Sequence, residues 1–241
     1  MRADPQARAR RERRERVLRR AKARADEAAA AGTILTLERH DRSYRMEYSP
    51  GKIAACVAAG RPYEAPLLEH IYRQRFTGLA VDAGANIGNH TLWFAVMCGL
   101  RVAAFEPIHA DVLRRNVALN GLEDRVQVEP VALGDTDGAA THIGKGRLEV
   151  GAGPIPIRRL DDYHLSDVAL IKADVEGMEA FVLRGGVETI RRDRPVVYAE
   201  AWDDTYHQGI ADVLEPLGYA RTKRFHGKDS ATPVEGWVYG S

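Results

Sequence analysis

An α/β fold built on a doubly wound, mostly parallel sheet is predicted by three features of the sequence. From residue 78 onward, short apolar runs alternate with amphipathic stretches, the pattern of strands joined by crossover helices that cover both faces of a sheet. Gly84 and Gly88 stand between the first such run and the helix after it, where missing side chains let the backbone approach a ligand closely. A length of 241 residues, 45% of them apolar and 29% charged, is enough for one enzyme-sized core.

The elements follow in chain order. Residues 33–37 and 43–48 are expected as two short strands around the polar turn His40-Asp41-Arg42. A short helix is expected over 52–59 and a longer one over 64–76, whose Leu67, Leu68, Ile71 and Tyr72 fall on one face. Residues 32–77 would then cap a main domain of residues 78–241. In that domain strands are expected at 79–81, 101–105, 125–133, 168–173 and 195–199. Helices are expected at 89–98, 111–119, 177–192 with a Gly185-Gly186 interruption, and 204–217. A closing hairpin, 219–225 with 234–239, adds antiparallel strands to the parallel set.

Before the cap lies an arm, residues 1–31, with ten Arg and one Lys against five acids, while the whole chain carries only +1. Its Arg, Glu and Ala favour a solvated helix or tail. Clustered Arg also suits a polyanion, and a contact between copies in a homo-oligomer is a third option. The two cysteines, Cys56 and Cys98, sit in apolar segments without metal-site or disulfide spacing, as buried residues of a reducing interior would. No apolar run approaches the roughly 20 residues needed to span a bilayer, and the N-terminus has no secretory apolar core. A cytoplasmic protein without membrane contact is the expectation.

In such sheets ligands bind beyond the carboxyl ends of the strands, where strand order reverses, so the chemistry is expected at Asp82, Glu106, Leu133 and Asp174. The strongest motif runs from Val81 through Asp82, Ala83, Gly84, Ala85, Asn86 and Ile87 to Gly88 and Asn89. A dinucleotide loop wants three glycines to cradle a pyrophosphate, whereas here Asn86 takes the second position and Asp82 precedes the loop. An acid there disfavours a diphosphate and favours an ammonium and a sulfonium, the charges of S-adenosylmethionine. Glu106, 24 positions after Asp82 in Phe105-Glu106-Pro107, can accept both hydrogen bonds of a ribose diol.

With a third block, Ile171-Lys172-Ala173-Asp174-Val175-Glu176-Gly177-Met178-Glu179, these segments resemble the FkbM-type methyltransferases over about residues 63–202. The resemblance implies a class I methyltransferase fold, Rossmann-like with a seven-stranded sheet, and O-methyl transfer from S-adenosylmethionine in natural-product or glycan tailoring. It assigns the cofactor to Asp82, Gly84, Ala85, Asn86, Gly88 and Glu106, and the adenine flank to the segment holding Leu133 and Asp135. The arm and residues 141–156 match no known pattern.

Methyl transfer from a sulfonium is an in-line displacement in which the enzyme aligns the acceptor and removes its proton. Lys172 and Asp174 alternate on one strand and point to one face, with Glu176 in the next turn, so Asp174, Glu176 and Lys172 are the expected catalytic group. An ion-pair network holding the turn is the structural alternative. Asp174, Glu176 and Glu200 are also oxygen donors that suit magnesium, although the primary reading assigns no metal. His90 and His207 are further bases by chemistry, His109 is expected beside the adenine, and Trp202 and Tyr206 could wall an acceptor pocket.

The expected acceptor is a hydroxyl of a small molecule or glycan. A nucleic-acid acceptor, methylated on a ribose or cap and anchored by the arm, is an alternative. Against base methylation, Asp174-Val175-Glu176-Gly177 stands where exocyclic-amine enzymes carry an Asn/Asp-Pro-Pro-aromatic loop. A non-catalytic scaffold is a further alternative, disfavoured by the intact Asp82, Gly84, Gly88, Glu106 and Asp174.

Overall fold

The structure is a computed structural model that describes residues 33–144, 146–226 and 232–240. The basic arm, residues 1–31, lies outside the described residues. Strands β1 (Ile34–Arg39) and β2 (Arg42–Glu47) pair as an antiparallel hairpin. His40 and Asp41 between them both have positive φ, 50° and 56°, the conformation that matches a two-residue turn to the twist of its strands. Helices α1 (Lys52–Ala58) and α2 (Ala65–Gln74) complete the cap.

The body contains β3 (Leu79–Ala83), α3 (Asn89–Leu92), β4 (Arg101–Phe105), α4 (Ala110–Leu119), β5 (Val126–Glu129), β6 (Ala132–Gly134), β7 (Gly138–Gly144), β8 (Arg147–Gly151) and β9 (Ile155–Arg159). It continues with β10 (Val168–Ala173), α5 (Glu179–Gly185), α6 (Val187–Asp193), β11 (Val196–Glu200), α7 (Asp204–Leu214), β12 (Tyr219–His226) and β13 (Pro233–Tyr239). Seven strands form the main sheet in the order β12-β13-β11-β10-β3-β4-β5. β3, β4, β5, β10 and β11 run parallel, and β13 is inserted antiparallel to both β11 and β12. Among the described residues no helix is long and apolar enough to cross a membrane.

Both faces of the sheet are covered. Ala80, Val102, Ala104, Leu170 and Tyr198 pack against Leu92, Trp93, Leu113 and Val117, while their neighbours Val81, Ala103, Ile171 and Val197 pack against Val182, Ile190, Ile210 and Leu214. This alternation is the period of two expected of strands buried on both sides. The cap belongs to the first cluster, since Leu37, Tyr44, Met46, Leu67, Leu68 and Ile71 share it. Buried Asn116 ties the cap to the glycine loop, accepting from Glu47 N at 2.6 Å and donating to Ile87 O at 2.7 Å.

Two expectations need correction. The expected strand 125–133 is two strands, because Pro130 has no amide to continue the ladder: β5 stays in the main sheet, and β6 turns away to pair with β9. Together with β7 and β8 these form a second sheet in the order β6-β9-β7-β8, in a region where no element was expected. β8 buries none of its residues and β7 only Ala140, so the apolar alternation that marks a strand is missing. The helix expected over 89–98 is also composite. α3 opens into a π-helical segment, Trp93–Met97, with Cys98 N donating to Trp93 O at 3.1 Å.

Candidate active site

Strand order reverses between β3 and β10, and a cleft opens there, as the topology dictates. It has a volume of about 410 Å³ and is floored by Ala83, Phe105 and Glu200 at the carboxyl ends of the strands. Three loops wall it: the glycine loop, the turn after β10, and the cap segment around Lys52 and Tyr63. Gly146 and Leu148 of the second sheet close one side.

The glycine loop is held by its own hydrogen bonds. The amides of Gly84 and Ala85 donate to Phe105 O at 2.9 and 3.2 Å, and that of Gly88 to Ala85 O at 2.9 Å. Asn86 N donates to Glu106 Oε2 at 2.7 Å, and Ile87 N to Asn86 Oδ1 at 2.8 Å. Asn86 takes φ 52° to make this turn, a conformation Asn tolerates better than most residues. Every amide from residue 84 to 88 is therefore engaged inside the protein, whereas a diphosphate cradle needs such amides free for the ligand.

The glycines themselves serve internal packing. A Cβ on Gly84, at φ 80°, would lie 1.9 Å from Asp174 O, and one on Gly88 would lie 2.8 Å from Leu113 Cδ1. These contacts give each glycine a reason inside the protein beside the expected approach to a ligand: Gly84 lets the turn after β10 dock on the loop. Gly88 is not part of the cleft lining, while Gly84, Ala85 and Asn86 are.

Three amides fix the Glu106 carboxylate at the cleft. Its Oε1 accepts from Ile108 N at 2.7 Å and His109 N at 2.9 Å, and its Oε2 from Asn86 N. A carboxylate offers about four acceptor positions, so the three amides orient it and leave one on Oε2 for a ligand. Leu133 and His109 line the cleft beside it, but Asp135 does not; it faces Arg184 at 3.6 Å.

Beneath the cleft lies a charged layer on the cap-facing side of the sheet. Asp82 is fully buried and stands beside Lys172 in the β3–β10 register. Its Oδ2 accepts from Thr91 Oγ1 at 2.6 Å, and its Oδ1 has no hydrogen-bond partner among the described residues. Neither Asp82 nor Lys172 reaches the cleft surface, so both act on it through their fields. Burial works against the Lys172 charge, but attraction to Asp174, then Glu64 and Asp82, outweighs it and holds the ammonium above its ordinary value.

The acids at the mouth are graded by environment. Asp174 lines the cleft and accepts from Lys172 Nζ at 2.7 Å, the same-face contact that the strand alternation predicts. Glu200 accepts from Trp202 Nε1 at 2.6 Å. Burial, then the Asp174 charge, pushes the Glu200 carboxyl up to about 8 against the pull of Trp202 and Lys172. Glu176 sits exposed at the rim, raised by partial burial and Asp174 and lowered by Lys52, Arg147 and Lys172. Behind the turn, Glu179 accepts from Val175 N at 2.9 Å and Gly177 N at 3.3 Å.

Other candidates separate from the cleft. His207 meets Glu235 at 2.8 Å and stacks on Trp237. Trp202 and Tyr206 pack on each other with ring centroids 5.0 Å apart, and none of the three lines the cleft. Among the described residues no group of three His, Cys, Asp or Glu side chains is arranged to hold a metal, so the oxygen set Asp174, Glu176 and Glu200 does not assemble as one. Sequence reasoning missed Glu64, the buried residue before α2, which meets His90 at 3.1 Å; its only signal was its place ahead of Pro66 at a helix start.

A family model described as the methyltransferase FkbM domain matches residues 82–220. A search of curated protein sequences found no match. Among solved structures, an FkbM methyltransferase from Methylobacillus flagellatus is similar over 94% of this chain and 59% of its own, at 18% identity and a TM-score of 0.52. The chain thus spans about three fifths of that relative's length. A precorrin-6y C5,15-methyltransferase from Geobacter metallireducens is similar over 73% of this chain and 88% of its own, at 14% identity and a TM-score of 0.49. The N-terminal domain of human METTL16, solved in complex with SAH, covers 86% and 76% at 12% identity and a TM-score of 0.49. The domain match takes in more than half of the sequence, from Asp82 at the head of the glycine loop to Ala220 on β12, and the chain belongs to the FkbM methyltransferase family.

Proposed function

We propose that the chain transfers a methyl group from S-adenosylmethionine to a hydroxyl of a small molecule, natural product or sugar. The observation that carries this reading is the closed hydrogen bonding of residues 84–88 beside an open position on Glu106. A loop with its amides engaged offers nothing to a diphosphate, and a fixed carboxylate at the end of the second parallel strand suits the diol of an adenosyl ligand without phosphates. The partnerless Oδ1 of Asp82 adds negative field under the loop, which favours a cationic ligand above it.

When bound, S-adenosylmethionine supplies an electrophilic methyl group on a sulfonium. Glu106 holds the ribose, and Leu133 with His109 flanks the base. Asp174, kept in place by Lys172, accepts a hydrogen bond from a polar group of the acceptor other than the reacting hydroxyl and so aligns that hydroxyl for attack. Glu200 carries a proton at neutral pH and donates where Asp174 accepts. Glu176 and Lys52 stand at the entrance and select the acceptor.

Titration calorimetry with S-adenosylmethionine, SAH and NAD tests the cofactor half: binding of the first two and not the third is expected, and binding of NAD alone would end the reading. A screen of hydroxylated metabolites for SAH release tests the other half. The charges of Asp174 and Glu176 around one mouth favour a neutral acceptor over a phosphate backbone. Retention on heparin at rising salt, compared with a chain lacking residues 1–31, measures what the arm adds for a polyanion.

A further inference from the structure

Glu64 and His90 form a buried carboxylate–imidazole dyad at the cleft wall. Glu64 Oε2 lies 3.1 Å from His90 Nε2, with side chains 3% and 6% exposed. The chain builds this contact twice over. Asn89 accepts from Tyr63 N at 3.0 Å and donates to Tyr63 O at 3.1 Å, so residues 63–64 dock on residues 89–90 as matched pairs. Glu64 takes a left-handed φ of 55° to enter α2, an uncommon conformation for such a side chain.

Docking alone does not account for the dyad. The Asn89–Tyr63 clasp already fastens the cap to the helix start, and the cap shares its apolar core with the sheet. Taking a carboxylate out of water costs several kcal/mol before pairing, a poor way to add one more tie. His90 lines the cleft, and the Glu64 charge also acts on Lys172. Asp174, the other cleft-lining acceptor close to this layer, is engaged by an ammonium at 2.7 Å, which weakens it as a proton acceptor. The imidazole has a carboxylate behind it, which holds the ring in place and fixes which nitrogen carries the proton.

We infer that His90 is the general base for the acceptor hydroxyl and that Glu64 is the positioning residue that fixes its tautomer. This assignment rests on the methyltransferase reading above. With Nε2–H donated to Glu64, Nδ1 is the ring nitrogen that takes the proton. The acceptor O–H bond breaks and its proton passes to Nδ1 while the oxygen bonds the methyl carbon. The methyl–sulfur bond breaks with its electron pair staying on sulfur, and the imidazolium then returns the proton to solvent. Imidazole is the side chain most often used in this role. The charged groups on the same side of the sheet are Asp82 on β3, Lys172 on β10, Asp174 just after it, and Glu200 on β11.

The test needs no knowledge of the acceptor. Full-length protein labelled with ¹⁵N in histidine is titrated by long-range ¹H–¹⁵N NMR, with His90→Gln to assign the ring, and SAH binding is measured by calorimetry on the same samples. The neutral ring should carry its proton on Nε2 and leave Nδ1 bare. Glu64→Gln, whose side-chain amide can donate as well as accept, should lose the fixed preference for Nε2–H, so that the neutral ring populates both tautomers. Protonated Nδ1 in the neutral wild-type ring, or a tautomer ratio unmoved in Glu64→Gln, would overturn the assignment while SAH binding keeps the cofactor reading intact. No SAH binding by the wild type would overturn both. If His90→Gln does not fold, the ring signal lost in a His90→Asn protein supplies the assignment.

Discussion

Lys172 Nζ lies 2.7 Å from Asp174 Oδ2, joining a wholly buried ammonium to a carboxylate that opens into the cleft. Asp174 follows Lys172 by two residues, one past the end of β10, and the continuing pleat puts them on one face. The sheet thus delivers a positive charge to the underside of the site and a negative one to its surface. Asp174→Asn keeps the size and removes the charge that orients the acceptor. Turnover should fall by at least about tenfold, the loss expected when alignment is degraded. SAH affinity, measured by calorimetry, should stay within about threefold of the wild type. Unchanged turnover would reassign the pair to holding the turn.

Lys172→Met has a different expected outcome. It removes the one cation that Asp174, Glu64 and Asp82 all act on. Breaking a buried ion pair from one side costs about 3–5 kcal/mol, because the remaining charge is left uncompensated. Urea denaturation should show that loss of stability, and a loss below about 1 kcal/mol would mean that water already solvates the carboxylates.

Glu106→Ala should weaken SAH binding by about 1–3 kcal/mol, the range for hydrogen bonds to a charged acceptor. The same change releases the amides of Asn86, Ile108 and His109, so the loop and the start of α4 should exchange amide hydrogens faster. Calorimetry and hydrogen exchange read the two effects separately. Unchanged SAH affinity would remove Glu106 from the cofactor site.

The parts of this arrangement that were legible in the sequence are those set by local pattern. β3 and β10 announce themselves as apolar runs because both faces are buried, and the Lys172–Asp174 contact follows from a spacing of two. The second sheet was not legible, since β7 and β8 lie largely on the surface and burial imposes little pattern on them. Glu64 was not legible as a site residue either. Its meaning comes from His90, 26 positions away, and only the docking of cap on body brings them together. Gly84 was legible as a point of close approach, but its approach to the Asp174 carbonyl inside the protein was not, because only the fold brings the two together.

Gly84→Ala tests that last point. The new Cβ would sit 1.9 Å from a backbone oxygen and at φ 80°, so neither rotamer change nor a flexible neighbour can absorb it. The turn carrying Asp174 must move off the loop. A drop in stability of about 2 kcal/mol or more is expected from the combined clash and strain, with SAH affinity reduced as well. A variant of wild-type stability that loses only SAH binding would show that Gly84 is there for the ligand after all.

Glu200 and Glu179 give the protein a pH dependence with a definite sign. Burial, with Asp174 nearby, pushes Glu200 from its ordinary 4.5 up to about 8. Burial also pushes Glu179 up to about 7, although the amides of Val175 and Gly177 pull the other way and Asp174 adds to the rise. The Oε2 of Glu179 is buried without a partner. Both groups bind their protons more tightly in the folded state. Their stabilising effect is full below about 4.5 and is lost as pH rises through about 7 and then 8. The thermal midpoint of the wild type should therefore fall between about pH 5 and pH 8.5 relative to that of Glu200→Gln, which stays neutral and keeps an oxygen for Trp202. The two proteins should melt together near pH 5, and the variant should melt at least ~3 °C higher at pH 8.5. Parallel melting curves across that window would mean that Glu200 is solvated in the folded protein and ionised at neutral pH. It would then accept hydrogen bonds in the cleft where the present assignment has it donate them.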